Sequence, residues 1–311
     1  MEDLLPGIRR VTFPLPLGID HVHCYLLRSA DATWTLVDTG LGIDDAEAAW
    51  APVLAALDGP VERIVVTHLH PDHVGGSADV AALTGAQVHQ GRLDYEQCLG
   101  AWGDEATPER SAVHLQANGM PEALLERIRA ESTWIRRYIR FVRDPALLDE
   151  GDRVDGWEVL HLPGHADGHI ALLKDGVLIA GDAILGRITP TVGLYQQSRP
   201  DPLADYLASL ARIAGLKAAV ALAGHEDPIQ GPASRVRELE AHHAERLGAA
   251  LHALRPEPRT GYDVSLDLFP SELVPSQRRF AVAETLAHLE RLVAEGRVVR
   301  TETDGLSLYR R

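Results

Sequence analysis

The run Thr67-His68-Leu69-His70-Pro71-Asp72-His73 packs four metal-binding side chains into six residues, directly after the apolar stretch Arg63-Ile64-Val65-Val66. Imidazole nitrogens and carboxylate oxygens suit Zn²⁺, Fe²⁺ or Mn²⁺. A strand that stops at a Gly-rich turn, here Val74-Gly75-Gly76, can hold such groups rigidly. Side chains of an extended segment alternate with period two, so His68 and His70 are predicted to point to one side. Asp72 and His73 lie past the turn at Pro71 and are placed to face a second ion. A surface loop that is rich in His and Asp by accident would have no matching ligands elsewhere in the chain, and matching ligands are present.

Each of those candidates follows an apolar, strand-like run. His165 stands in Pro163-Gly164-His165, Asp182 closes Val177-Leu178-Ile179-Ala180-Gly181-Asp182, and His225 closes Val220-Ala221-Leu222-Ala223-Gly224-His225. Each is the first polar residue after a Gly, which lets the backbone turn tightly beside an ion. Buried strands that end on one edge would bring these loops to a common rim. The expected set is then seven ligands for two divalent cations: His68, His70 and His165 on one ion, Asp72, His73 and His225 on the other, and Asp182 bridging.

In order and spacing, T-H-x-H-x-D-H-x-G-G at 67 to 76, G-H at 164 to 165, G-D at 181 to 182 and G-H at 224 to 225 resemble the motifs of the metallo-β-lactamase fold superfamily of hydrolases. The resemblance covers about residues 10 to 231 and implies an α/β fold, a four-layer αββα sandwich with the metals at one edge. Asp38 in Leu36-Val37-Asp38-Thr39-Gly40 also matches; there it implies a carboxylate that supports the metal loop from behind, where a bare sequence reading would see a turn residue after a strand. True class B β-lactamases usually carry Cys where Asp182 stands and are exported. This chain begins Met-Glu-Asp-Leu-Leu-Pro-Gly, without a basic start or an apolar run of signal length, which predicts a cytoplasmic protein. The bridging Asp is similar instead to the glyoxalase II, lactonase and lactamase-β-like groups.

Composition is consistent with a soluble enzyme. With 311 residues, 45% of them apolar, the chain suits one large domain and a small one. No stretch approaches the roughly 20 apolar residues of a membrane span. Cys24 and Cys98 are the only cysteines, so no disulfide framework is indicated. The net charge of −15 is uneven: residues 252–311 carry 9 Lys+Arg against 9 Asp+Glu, which leaves the whole excess on residues 1–251. A nucleic-acid binder normally presents a basic patch, so a small-molecule substrate is expected and nucleic acid is not.

Strands are predicted at 22–28, 33–38, 63–67, 86–90, 157–162, 169–174, 177–182 and 218–223, and helices at 44–57, 74–84, 202–214 and 232–254. The expected catalytic domain spans 1–235, with a helical insertion at about 92–142 containing Trp102, His114, Met120, Trp134, Tyr138 and Phe141. That insertion is expected either to wall a substrate pocket or to cap the sheet or make a homodimer contact. Over 236–311, an amphipathic helix at 278–295 with Phe280, Leu286, Leu289 and Leu292 as apolar positions precedes a turn at Asp304-Gly305. Helix followed by a two-stranded wing reads as a small winged-helix-like unit, similar to an appendage of the lactamase-β-like members. Its charge balance favours packing against the pocket or a partner subunit over DNA reading.

Where the family often has Asn, this chain has His23, which is therefore a candidate for touching substrate. His169 matches the second His of G-H-x-x-G-H and is expected to give structural support. His89, His161, His242, His243 and His288 have no partner spacing and read as ordinary strand or helix residues.

Two cations sharing a water lower its pKa from 15.7 towards about 7, so hydroxide is the expected nucleophile, with Asp72 as the catalytic proton relay. The reaction expected is hydrolysis of a carboxylic ester, thioester or lactone, with Zn as the first metal candidate and Fe or Mn as alternatives. Cleavage of single-stranded RNA, as in the lactamase-β-like endoribonuclease, is the runner-up. The second ligand set, Asp72, His73 and His225, argues against a mononuclear iron oxygenase.

Overall fold

Period-two alternation along the apolar runs sorts their side chains into separate cores and so dictates the layers. On the strand Val61–Val66, Ile64 and Val66 join a core with Trp50 and Val80 from the outer helices, while Val65 points the other way and packs with Val159 and Leu172. On the strand Val177–Gly181, Ile179 shares that middle core, and Leu178 and Ala180 face Leu203, Tyr206 and Leu210 on the far side. Strands that are apolar on both faces must be covered on both. The result is helix, sheet, sheet, helix, as expected.

The computed structural model describes residues 1–16, 18–42 and 44–311. The first sheet has seven strands in sequence order: β1 Glu2–Leu5, β2 Ile8–Pro14, β3 His21–Arg28, β4 Trp34–Val37, β5 Val61–Val66, β6 Gln87–Gly91 and β7 Ala146–Leu148. The second comprises β8 Arg153–Val154, β9 Trp157–His161, β10 Ile170–Lys174, β11 Val177–Gly181, β12 Val220–Ala223 and β13 Ile229–Gln230, stacked in the order β13-β12-β11-β10-β9-β8. α1 Ala46–Ala55, α2 Pro71–Val74, α3 Ser77–Thr84 and α4 Arg92–Trp102 lie along the first sheet. α5 Thr107–Ala117 and α6 Glu122–Arg136 complete the insertion, and α7 Pro202–Gly215 and α8 Ala233–Ala253 cover the second sheet.

The chain closes with α9 Gly261–Leu268, α10 Pro275–Ala294 and a three-stranded sheet in which β16 Leu306–Arg310 lies between β14 Arg259–Thr260 and β15 Val299–Thr303. The expected hairpin at Asp304-Gly305 is present, and β14 adds a third strand. Phe280 does not belong to the apolar face of α10: it is 41% exposed, under Arg279. The face is supplied instead by Val282, Leu286, Leu289 and Leu292, which share a core with Leu115, Leu125 and Ile128 of the insertion. The insertion and the C-terminal unit therefore bury each other's apolar surface within one chain. The expected boundary at 235 falls inside α8, which gives Val236 and Leu239 to the catalytic core and Ala250 to the C-terminal one. Among the described residues no helix is long and apolar enough to cross a membrane.

His243 and His288, read from sequence as unrelated, meet between α8 and α10 with ring nitrogens 3.2 Å apart. Tyr206 of α7 stands edge-on to His243 at 5.3 Å. His288 Nδ1 donates to the Glu284 carbonyl at 2.7 Å, so its Nε2 accepts from His243 Nδ1. Burial, helped by His242 and Arg246, holds His243 down at about 3 and His288 at about 4, from 6.5. The unfolded chain therefore binds more protons below pH 6.5, and this contribution to stability is lost as pH falls from 6.5 towards 4, by up to about 1.4 kcal/mol per pH unit for each imidazole. Urea unfolding of a His243→Leu/His288→Leu variant should show a shallower acid slope than the wild type; equal slopes would contradict the buried neutral pair.

Candidate metal centre

β5, β11 and β12 end on one edge of the sandwich, and their loops meet there. β5 stops at Val66, so the segment from His68 to His70 bends and is not the extended continuation that alternation presumed. The predicted outcome still holds, because His68 Nε2 and His70 Nδ1 lie 3.0 Å apart. Pro71 then opens the single turn α2, where its fixed φ suits the first helical position. That turn sends Asp72 and His73 to the other half of the site.

Ligand atoms lie within 4.8 Å of one another in three overlapping groups: His68, His70 and His165; His68, His73 and Asp182; Asp72, His73 and His225. Asp182 links the halves. Its Oδ2 is 3.6 Å from His165 Nε2 and 3.2 Å from His225 Nε2, and its Oδ1 is 3.6 Å from His73 Nε2. Asp72 Oδ2 reaches His225 Nε2 at 3.4 Å and His73 Nε2 at 3.9 Å. All seven residues expected from the sequence converge.

Four of the five imidazoles, those of His68, His73, His165 and His225, are turned by a partner on the far nitrogen. His73 Nδ1 donates to Asp38 Oδ2 at 2.8 Å, His165 Nδ1 to the Thr191 carbonyl at 2.8 Å, and His225 Nδ1 to the His21 carbonyl at 2.6 Å. His68 Nδ1 meets Thr67 Oγ1, whose own proton goes to Asp38. This leaves Nε2 lone pairs facing inward. His73 Nε2, His165 Nε2, His225 Nε2 and Asp182 Oδ1 are buried with no hydrogen-bond partner. Buried acceptors without partners are costly, and four converging on one space fit divalent cations that take both N and O donors. The glycines that precede the ligands fit as well: a Cβ on Gly224 would stand 2.4 Å from Asp182 Oδ1 and 2.6 Å from His73 Cε1.

The electrostatics favour the ligating forms of His68, His70 and Asp182. Against the pull of burial, the Asp182 and Asp38 carboxylates raise His73, and Asp182 raises His225, above the ordinary histidine range, so cations binding there displace protons. Burial and the neighbouring imidazoles hold His68 and His70 well below the ordinary histidine range, hence neutral. Burial alone would raise Asp182, but the His73 and His225 charges outweigh it and keep the carboxyl well below the usual range.

Asp38 occupies the supporting position that the resemblance implied. Held at φ +60°, it accepts from Thr67 N, Thr67 Oγ1 and His73 Nδ1, each at 2.8 Å. His169 also supports: burial holds it at about 3, and its Nε2 accepts the Asp182 amide at 3.1 Å. His23 corrects an expectation. Both its ring nitrogens are engaged, with Thr12 Oγ1 at 3.0 Å and the Glu226 carbonyl at 2.9 Å, and the residue is buried, so it braces the His225 loop and does not approach substrate. The carbonyls of His21 and Thr191 escaped sequence reasoning because a carbonyl carries no residue signature. The loop bearing Thr191 is itself tied to both accessory units: Leu194 N donates to Ala283 O of α10, and His114 Nε2 of α5 donates to Leu194 O.

Residues 17–225 match the family model described as metallo-beta-lactamase superfamily. The chain belongs to the metallo-beta-lactamase superfamily. Residues 247–311 match a second model, the metallo-beta-lactamase-like C-terminal domain. A superfamily structure from Thermus thermophilus superposes with a TM-score of 0.86 at 40% identity, covering 99% of this chain and 100% of that one. Among curated superfamily relatives, "Probable metallo-hydrolase YqjP" of Bacillus subtilis (strain 168) is 27% identical over 315 residues, 96% of each chain. A hydroxyacylglutathione hydrolase of Aeromonas hydrophila is 33% identical over 168 residues, 52% of this chain and 46% of the relative.

Replacing Asp38 by Ala strips His73 of its orienting acceptor and takes the acceptor from three buried donors in all, His73 Nδ1, Thr67 N and Thr67 Oγ1. Metal affinity measured by chelator competition should fall roughly 10- to 100-fold. Wild-type affinity in Asp38→Ala would contradict this assignment.

Proposed function

We propose that this metal-dependent hydrolase works with two divalent cations, Zn first among Zn, Fe and Mn, on a small thioester, carboxylic ester or lactone. The observation that carries the reading is Asp182: a buried carboxylate within 3.2 to 3.6 Å of imidazoles from both half-sites, with an oxygen that has no partner in the protein. Two cations held there supply a water acidified towards neutrality and a Lewis acid for the acyl oxygen. His68, His70 and His165 would hold one cation, Asp72, His73 and His225 the other.

The protein's own part is orientation and proton handling. Asp38, Thr191 and His21 fix which nitrogen of His73, His165 and His225 faces inward. Asp72 lies at the site's rim, less enclosed than His73 or His225, and is the carboxylate placed to pass a proton towards a leaving thiolate or alkoxide. The partial likeness to hydroxyacylglutathione hydrolases supports an acyl-thioester substrate. The surplus of negative charge on residues 1–251 disfavours a polyanion.

Metal-replete protein should carry about two transition-metal ions per chain by elemental analysis. Asp182→Ala should lose metal and turnover while keeping its circular dichroism spectrum, because the deleted group serves the site and not the core. A variant with near-normal rate would sink the bridging role. On a panel of thioesters, esters, lactones and short RNAs, kcat/KM for the best small acyl substrate should change little with added salt. RNA cleavage that falls steeply with salt, as neutralised phosphates demand, and that vanishes in His70→Ala would replace this reading.

A further inference from the structure

The helical insertion left open what its first helix does; α4 runs directly behind the ligand loops. We propose that α4 is the scaffold of the three-histidine half-site, with Asp94 and Trp102 as positioning residues for His68 and His70. The inference rests on the two-cation reading and assigns it a division of labour.

Leu69 is the residue between those two ligands. Its N–H donates to Asp94 Oδ1 at 2.9 Å, and its carbonyl accepts from Trp102 Nε1 at 2.7 Å. The first bond fixes the peptide plane that follows His68, and the second fixes the plane that precedes His70. With both planes tied to one rigid helix, neither ligand can rotate about its backbone without breaking a buried bond. Asp94 is fully buried, and its other oxygen accepts from Gln90 Nε2 at 2.6 Å, so the carboxylate has no alternative orientation.

The same helix holds the loop of the third ligand. Gln97 Nε2 donates to Asp167 Oδ2 at 2.7 Å, within the segment between His165 and His169. The backbones also touch: a Cβ on Gly168 would lie 2.1 Å from Asp94 N, so only Gly admits this approach. All three ligands of one ion are therefore set against α4. The other half-site is held from the opposite direction, His73 by Asp38 after β4 and His225 by the carbonyl of His21 at the start of β3. From sequence Asp94 would pass for a solvated acid favoured in a first helical turn.

The test removes one half-site at a time and reads Zn²⁺ affinity against a chromophoric chelator. In a His225→Ala background the remaining ion depends on His68, His70 and His165, and adding Asp94→Ala should weaken it roughly 10- to 100-fold. In a His165→Ala background, Asp94→Ala should leave the affinity of the remaining ion unchanged. Asp94→Asn keeps an acceptor for Leu69 N–H and should restore affinity. Trp102→Phe keeps an aromatic ring, smaller than the indole, but lacks the Nε1–H donor, and should weaken the same ion. Equal weakening in both backgrounds would mean general damage and overturn the assignment, as would wild-type affinity in both Asp94→Ala and Trp102→Phe. Wild-type protein that takes up a single ion would instead overturn the two-cation reading, and the half-site selectivity with it.

Discussion

Asp182 places a carboxylate almost wholly out of bulk solvent, and the structure is arranged around that constraint. An ionised group away from solvent must meet opposite charge or hydrogen-bond donors. The Asp182 amide is tied to His169, but one side-chain oxygen has no donor and the other faces the bare nitrogens of His165 and His225. The imidazoles of His73, His165 and His225 use their far nitrogens on Asp38, Thr191 and His21, so their inner nitrogens face the carboxylate and become lone pairs once cations displace their protons. Deprotonated in this way, the set is acceptors facing acceptors, an arrangement that suits cations.

Two sheets are needed to build it. The first supplies Asp38, His68, His70, Asp72 and His73, the second His165, Asp182 and His225. The join between them is hydrogen-bonded at the rim itself, by Ile170 N to Thr67 O and His23 N to Gly224 O. Apolar packing of Val65, Val159, Leu172 and Leu222 between the sheets fixes their separation, and hence the gap across which ligands from the two sides meet. Interior packing of this kind yields little, which suits a centre that must keep its geometry. The insertion and the C-terminal unit, sharing one core, close around the loop that carries Thr191.

The centre was almost wholly legible in the sequence because its chemistry lies in residue types that have few other reasons to follow a Gly at a strand end. Of the seven candidate ligands, His165, Asp182 and His225 do so, while His68, His70, Asp72 and His73 crowd into one short run and Asp38 follows the end of a strand. The layers came with the family resemblance, and strands apolar on both faces, which must be covered on both, agree with them. Short edge strands such as β7 and β13 were missed, since two or three residues carry no periodicity. His23 was misjudged because a histidine near a rim reads the same whether its nitrogens face solvent or a carbonyl. Phe280 was misassigned because a helical stripe does not reveal which neighbour covers it. The His243–His288 pair joins residues 45 apart, and pairing across such a distance leaves no local mark.

The most direct test of the central claim is a crystal structure of metal-loaded protein with data collected at the metal's absorption edge. The account predicts two anomalous peaks, one against His68, His70 and His165, the other against Asp72, His73 and His225, with Asp182 touching both. A single peak, or two peaks of which Asp182 touches only one, would contradict it.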